Sequence, residues 1–294
     1  MSKTDLNTYP TWEEAITKYP YLESILAKTQ DYKQAEVFKL LFSCIDLTSL
    51  ETTDHPAKIR GMCERVNGMG QHIPDFPSVA SICVYPSMVD TVKHHLKQKG
   101  VGITSVIGGF PSSQTFTEVK ELETEMVLLD GATEVDLVML VGSFLEGKER
   151  AVSHEIHEIK QLLPKQHLKV ILETGALPNA AAIYRSALLA LEAGADFVKT
   201  STGKMQPAAT PEAAYAMCIA LAEYHGKHQV AKGFKPAGGI ADTDEALKYY
   251  AIVKEILGDS WLHPTKFRIG ASRLANALLA DYHALEGKAF EPYF

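Results

Sequence analysis

Two lysines sit in stretches built on the same grammar. In GADFVKTSTGK, residues 194–204, Lys199 closes a short apolar run and precedes a Thr-Ser-Thr-Gly turn. In GFKPAGG, residues 233–239, Lys235 stands 36 positions later, again at the end of such a run and again ahead of glycines. Runs of this kind read as strands ending in turns. Two lysines held together in a partly dry cleft disfavour each other's protonation, so one becomes a neutral amine near neutral pH. A neutral amine attacks carbonyls, and the protonated imine that results draws electrons from the adjacent carbon. On these residues alone either lysine serves as nucleophile, with the other as its electrostatic partner.

A carboxylate belongs with them. In GATEVDLVMLVG, alternation puts Val135 and Leu137 on one strand face and Glu134, Asp136 and Val138 on the other. An inward Asp136 can take a proton from the lysine pair or orient a water. Other strand ends offer polar groups: Asp46 and Thr48, Cys83 and Tyr85, Glu173 and Thr174, Ser201 and Ser272. Asp46 and Thr48 are given supporting roles. Turns at Gly203-Lys204, Gly238-Gly239 and Gly270-Ala271-Ser272 carry backbone N–H groups that can converge on an anion such as phosphate. Cys83 reads as a small buried apolar residue, since no basic group stands at a telling spacing. The 11 histidines, among them His94, His95, His154 and His157, form no HExxH or other compact ligand set, so neither metal nor cofactor is expected.

The elements that must position these groups alternate. Eight short apolar runs read as strands: 41–47, 78–84, 102–107, 134–140, 168–173, 196–200, 230–235 and 266–269. Helices lie between them. Val152, Ile156, Ile159 and Leu163 form one apolar stripe, and Ala246, Tyr250, Val253 and Leu257 another. Thr115 with Glu118 has capping-box spacing, Thr210-Pro211 places a cap before a first-turn proline, and Asp242 with Glu245 makes a third start. The alternation predicts an α/β fold, a (β/α)8 TIM barrel over 41–294, with chemistry at the C-terminal ends of its strands. Residues 1–40 predict an N-terminal helical extension. A doubly wound sheet is the rival, but no GxGxxG follows the first strand.

Composition bounds the partners. The 294 residues are 46% hydrophobic and 22% charged, as in an ordinary globular protein. A formal charge of -7, from 36 acidic and 29 basic residues without a long basic run, argues against nucleic acid as a partner. Four scattered cysteines suggest neither a disulfide framework nor a thiolate metal site. No signal-peptide pattern or membrane-length apolar stretch is visible, so no membrane is expected as a partner and a cytoplasmic location is. A homodimer is one assembly open to the chain, its N-terminal helices either capping the barrel or joining a partner subunit. Two other functions fit the same residues: an isomerase or lyase that uses Asp136 and Lys235 without a covalent adduct, and a non-catalytic phosphosugar-binding module.

Seven segments together carry a resemblance: IDLT at 45–48, ICVYP at 82–86, GATEVDLV ending at Val138, LKVILETG at 168–175, DFVKTSTGK at 196–204, GFKPAGGI at 233–240 and FRIGAS at 267–272. In this order the chain closely resembles the deoxyribose-phosphate aldolases. The resemblance implies a TIM-barrel class I aldolase, free of metal, that reversibly cleaves 2-deoxy-D-ribose 5-phosphate to D-glyceraldehyde 3-phosphate and acetaldehyde. Its partners are then a small phosphorylated sugar and short aldehydes. It implies Lys199 as the Schiff-base lysine, Lys235 as the group that tunes it and Asp136 as the proton relay. The glycine turns, through Ser272, become the phosphate site. Two departures stand out. Arg273 replaces a small hydroxyl residue beside the expected phosphate, where it either adds a charge-assisted contact to phosphate or points away along its helix, and the tail ends AFEPYF, so Tyr293, the counterpart of a tail tyrosine used by some relatives in proton transfer, is penultimate.

Overall fold

A computed structural model describes residues 6–294. Eight parallel strands stand in the order β7-β6-β5-β4-β3-β2-β1-β8. They are β1 (Ile45–Thr48), β2 (Ser81–Val84), β3 (Gly102–Ile107), β4 (Glu134–Val138), β5 (His167–Ile171), β6 (Phe197–Lys199), β7 (Gly233–Lys235) and β8 (Ile269–Ala271). Between β7 and β8 the ring closes through two isolated bridges, Phe234 to Phe267 and Ala237 to Gly270. The result is the (β/α)8 barrel, with helices packed around it.

The outer helices follow from their apolar stripes. Those that matter here are α1 (Trp12–Ile16), α2 (Leu22–Leu26), α3 (Ala35–Ser43), α4 (Pro56–His72), α5 (Val89–His95), α6 (Thr117–Leu129), α7 (Val141–Leu145), α8 (Glu149–Gln161), α9 (Ala180–Glu192), α10 (Pro211–His228), α11 (Thr243–Leu257) and α12 (Leu274–Leu285). Val152, Ile156 and Ile159 of α8 are fully buried, as are Ala246 and Val253 of α11. The starts of α10 and α11 are capped as expected: Thr210 accepts from the Ala213 N–H and Asp242 from the Glu245 N–H. No described helix is long and apolar enough to cross a membrane.

Three local expectations are corrected. Residues 41–43 are the last turn of α3 rather than the start of a strand, because Val37, Phe38, Leu41 and Phe42 bury one helical face. The α6 helix starts at Thr117 behind Phe116, with no side-chain cap, so Thr115 makes no capping box. The last strand begins at Ile269, and Phe267 joins the barrel only by its bridge.

The N-terminal helices lie over the outer layer. Trp12 of α1 packs against Tyr184 of α9 and Tyr215 of α10, with ring centroids 5.8 and 6.2 Å away. The same two tyrosines donate to the carbonyls of Pro10 and Pro20. Tyr32 stacks edgewise on Tyr250 of α11 at 5.1 Å. This extension braces α9 to α11, the helices that follow β5, β6 and β7.

Candidate active site

Strand register sets the site. Lys199 and Lys235 are direct partners across the β6–β7 pairing, and Asp136 and Lys169 across β4–β5. In a barrel, alternate residues point inward, so the four side chains enter one interior. There the Lys199 and Lys235 ammonium nitrogens both lie 2.7 Å from Asp136 Oδ2. Lys169 approaches the other carboxylate oxygen, Oδ1, at 3.1 Å. Asp136 is therefore an anion shared by three lysines, and it is fully buried.

A second tier lies beneath it. Lys169 Nζ is 2.5 Å from Glu134 Oε2 and 3.7 Å from Asp46 Oδ2. Arg268 forks onto Glu134, at 2.7 and 3.0 Å, and reaches Asp46 Oδ1 at 2.6 Å. Asp46 Oδ2 also pairs with Lys235 at 2.5 Å. Thr104 donates to Glu134 at 3.1 Å. Buried charges persist only when paired and hydrogen-bonded in this way, and stripping one partner from such a network is strongly destabilising.

The network separates the two lysines. Burial lowers the proton affinity of Lys199; Asp136 opposes that and Lys235 adds to it, leaving Lys199 below the ordinary lysine value. Burial also works against Lys235, but Asp136 and Asp46 outweigh it, so Lys235 is held protonated well above the ordinary range. For Asp136 burial is likewise outweighed, by Lys169, Lys199 and Lys235, and its carboxyl stays ionised far below the usual range. Burial raises Cys83, keeping it a neutral thiol, in line with its reading as packing.

Above the network opens a cleft. Lys199, only 2% exposed, is the network member that lines it among the described residues. Around it stand Thr48, Gly203, Lys204, Gly238, Gly239, Gly270, Ala271, Ser272 and Arg273. Every residue expected at the phosphate thus faces one opening. Ser272 and Arg273 immediately precede α12, whose first N–H groups lack helical partners. Thr200 ties the β6 and β7 loops together: its hydroxyl accepts from the Ala237 N–H at 2.9 Å and donates to the Ala237 carbonyl at 3.2 Å. At Gly238, φ is +91°, and a Cβ would come within 2.8 Å of Ala208 Cβ and 3.0 Å of Gly203 Cα. Only glycine lets these two loops meet there.

Asp46 and Thr48 divide. Asp46 belongs to the buried network, whereas Thr48 lines the cleft and donates its hydroxyl to the Asp46 carbonyl. Tyr293 is elsewhere. Its hydroxyl donates to the Arg65 carbonyl at 2.8 Å, beside Gly68 and His72, and Asn276 holds the backbone of Tyr293 and Phe294. Tyr293 lines no part of the cleft, and the partners of its hydroxyl and backbone are Arg65 and Asn276 rather than the lysines.

Four residues escaped the sequence reading of the site or were left without a role: Lys169, Glu134, Arg268 and Glu173. Glu173, at φ +51°, accepts from the Thr202 N–H at 3.2 Å and the Thr202 hydroxyl at 2.5 Å, anchoring the loop that carries Gly203 and Lys204. Alternation along β4 and β5 was the available signal for Glu134 and Lys169, since both stand two residues before an inward-facing one. No group of three or more His, Cys, Asp or Glu residues able to hold a metal is found among the described residues.

Comparison with known proteins gives a consistent result. The profile of the DeoC/LacD family aldolases matches residues 47–260. The deoxyribose-phosphate aldolase of Homo sapiens is 36% identical over 256 residues, covering 83% of this chain and 80% of its own. That of Bos taurus is 35% identical over 284 residues, covering 90% and 88%. Among solved structures, the tetrameric deoxyribose phosphate aldolase of Aeropyrum pernix superposes with a TM-score of 0.69 at 25% identity, covering 89% of this chain and 98% of that one. With the barrel, the paired lysines and these matches in hand, the chain belongs to the DeoC/LacD aldolase family and, within it, aligns along most of its length with the deoxyribose-phosphate aldolases.

Proposed function

We propose that the protein catalyses the reversible aldol cleavage of 2-deoxy-D-ribose 5-phosphate to D-glyceraldehyde 3-phosphate and acetaldehyde through an imine at Lys199. The observation that carries the assignment of roles is the asymmetry of the two lysines. Lys199 is depressed and borders the cleft; Lys235 is held charged beneath it. The glycine turns and Arg273 grip the phosphate, and this sets C1 of the open-chain sugar at Lys199.

The amine nitrogen adds to C1, and the carbonyl oxygen takes up a proton to give the carbinolamine. Loss of water leaves the iminium. Asp136, acting through a water, accepts the proton of the C3 hydroxyl; the C2–C3 bonding pair moves into C1=C2 and the iminium electrons return to nitrogen. C3 leaves as the aldehyde of glyceraldehyde 3-phosphate. The enamine takes a proton at C2, and hydrolysis of the new iminium releases acetaldehyde and restores the amine.

Acetaldehyde with borohydride should leave a two-carbon mark on Lys199 readable by mass spectrometry. Lys199→Leu should lose both mark and turnover while melting cooperatively. Retained turnover in that variant sinks the assignment, and a mark confined to Lys235 reverses it.

The same reading extends to assembly as a homodimer. Phe116, Val119, Leu122, Met126 and Leu129 recur on one face of α6 and its entry, each at least 49% exposed. Exposed apolar side chains recurring along one helical face form the kind of surface that a partner covers. A second copy of the chain is the occupant proposed, by its own identical stripe. Sedimentation should give twice the chain mass, falling to one chain in Leu122→Glu/Met126→Glu; a wild-type protein that sediments as one chain overturns this.

A further inference from the structure

The buried network contains three carboxylates, Asp46, Glu134 and Asp136, and four cationic side chains, Lys169, Lys199, Lys235 and Arg268. It balances when one cation gives up its proton, and Lys199 is the member with an outlet to the cleft. Lys169 is placed differently. It is fully buried, lines no part of the cleft, and touches all three carboxylates, at 2.5, 3.1 and 3.7 Å. It therefore meets neither sugar nor aldehyde, and whatever it does for the reaction it does through Asp136.

We propose that Lys169 is a positioning residue for the amine chemistry: by occupying Asp136 Oδ1 and completing the charge balance of the barrel interior, it leaves Lys199 as the member that stays neutral. With Lys169 present, Lys169, Lys235 and Arg268 balance the three carboxylates and Lys199 need carry no charge. Without it, the interior holds three carboxylates against Lys235 and Arg268, and a proton on Lys199 restores the balance. Every charged or titratable group facing this cluster takes part in the count. These are Asp46 from β1, Cys83 from β2, Glu134 and Asp136 from β4, Lys199 from β6, Lys235 from β7 and Arg268 just ahead of β8; β3 contributes the neutral Thr104 hydroxyl. Lys169 is one of the cations that hold all three carboxylates ionised, Asp136 among them.

The inference rests on Lys199 as the imine-forming amine, and the test keeps the two apart. Reductive labelling of Lys199 by acetaldehyde and borohydride is followed against pH, alongside the acid limb of kcat/KM. In Lys169→Met both midpoints should move to higher pH, with labelling at pH 7 slowed at least tenfold and recovered above pH 9. Adding Glu134→Gln removes one carboxylate with the cation, so the double variant should return both midpoints toward wild type. A purely structural role predicts the opposite pattern: lower activity with an undisplaced pH profile, and further damage in the double variant. Either result overturns the inference. If Lys169→Met does not fold, Glu134→Gln alone decides it, since a surplus positive charge should move the midpoint to lower pH and an unmoved midpoint refutes the count. If wild-type Lys199 takes no label at any pH, the imine assignment itself has failed, which is a separate outcome.

Discussion

Replacing Lys235 by Met tests the electrostatics of the site most directly. Both lysine nitrogens lie 2.7 Å from the same Asp136 oxygen, so they are close neighbours inside a water-poor barrel. Two like charges about 5 Å apart repel by about 3 kcal/mol at an effective dielectric constant of about 20. Removing Lys235 deletes that repulsion and also frees Asp136 Oδ2 to serve Lys199 alone. Both changes favour the charged amine. At about 1.4 kcal/mol per factor of ten, the ratio of neutral to charged Lys199 should fall about a hundredfold at pH 7. We expect kcat/KM for 2-deoxyribose 5-phosphate to fall by a similar factor, with the acid limb of its pH profile displaced to higher pH and much of the loss recovered near pH 10. Product formation is followed by reducing the released glyceraldehyde 3-phosphate in a coupled assay at each pH. A profile lowered equally at every pH, with no displacement, would refute electrostatic tuning and leave Lys235 a direct participant in proton transfer.

Three further outcomes are expected. Glu173→Ala unties Thr202 and should raise KM for the phosphorylated sugar several-fold while leaving turnover of unphosphorylated 2-deoxyribose unchanged; an equal effect on both substrates argues against a loop-anchoring role. Gly238→Ala forces a side chain into a left-handed backbone and against Ala208 and Gly203, so it should cost about 1–3 kcal/mol of stability and weaken inhibition by inorganic phosphate, both measurable by thermal melts with and without phosphate. The third concerns acid. Asp46, Glu134 and Asp136 are all held below their unfolded values by the cations around them, so unfolded chains bind protons that the fold does not. The stability they contribute is complete above about pH 5 and is lost as pH falls through about 4 and below. Melting temperature should therefore drop steeply from pH 5 to pH 3, and a flat curve there would contradict the ionised network.

The sequence made the upper tier of this site legible because its chemistry is local. Lys199, Lys235 and the glycine turns each stand at a strand end with a turn signal after it, and a barrel brings such ends to one face whatever the finer packing. The lower tier was not legible for a physical reason. Lys169 lies within LKVILE and Arg268 within KFRI, where a long cation reads equally well as an edge residue reaching water. Only the register of β4 against β5, and the meeting of Arg268 with Glu134 across 134 positions, turns them inward. The first strand was misplaced for a related reason: Leu41 and Phe42 serve a helix face that a short apolar run cannot distinguish from a strand. Tyr293 shows that a tail's sequence carries no address, since its docking depends on Asn276 and the Arg65 carbonyl, both distant in the chain.

The seam between β7 and β8 has a mechanical consequence. Every other neighbouring pair of strands is laced by a ladder, while these two are joined by single bridges at Phe234 and Ala237. The loops leaving that seam carry Gly238 and Gly239 on one bank and Ser272 and Arg273 on the other, so the two sides of the proposed anion grip meet at the loosest stave of the cask. A substrate phosphate bound at the proposed site would bridge the two banks and act as a hoop on the wall next to Lys235.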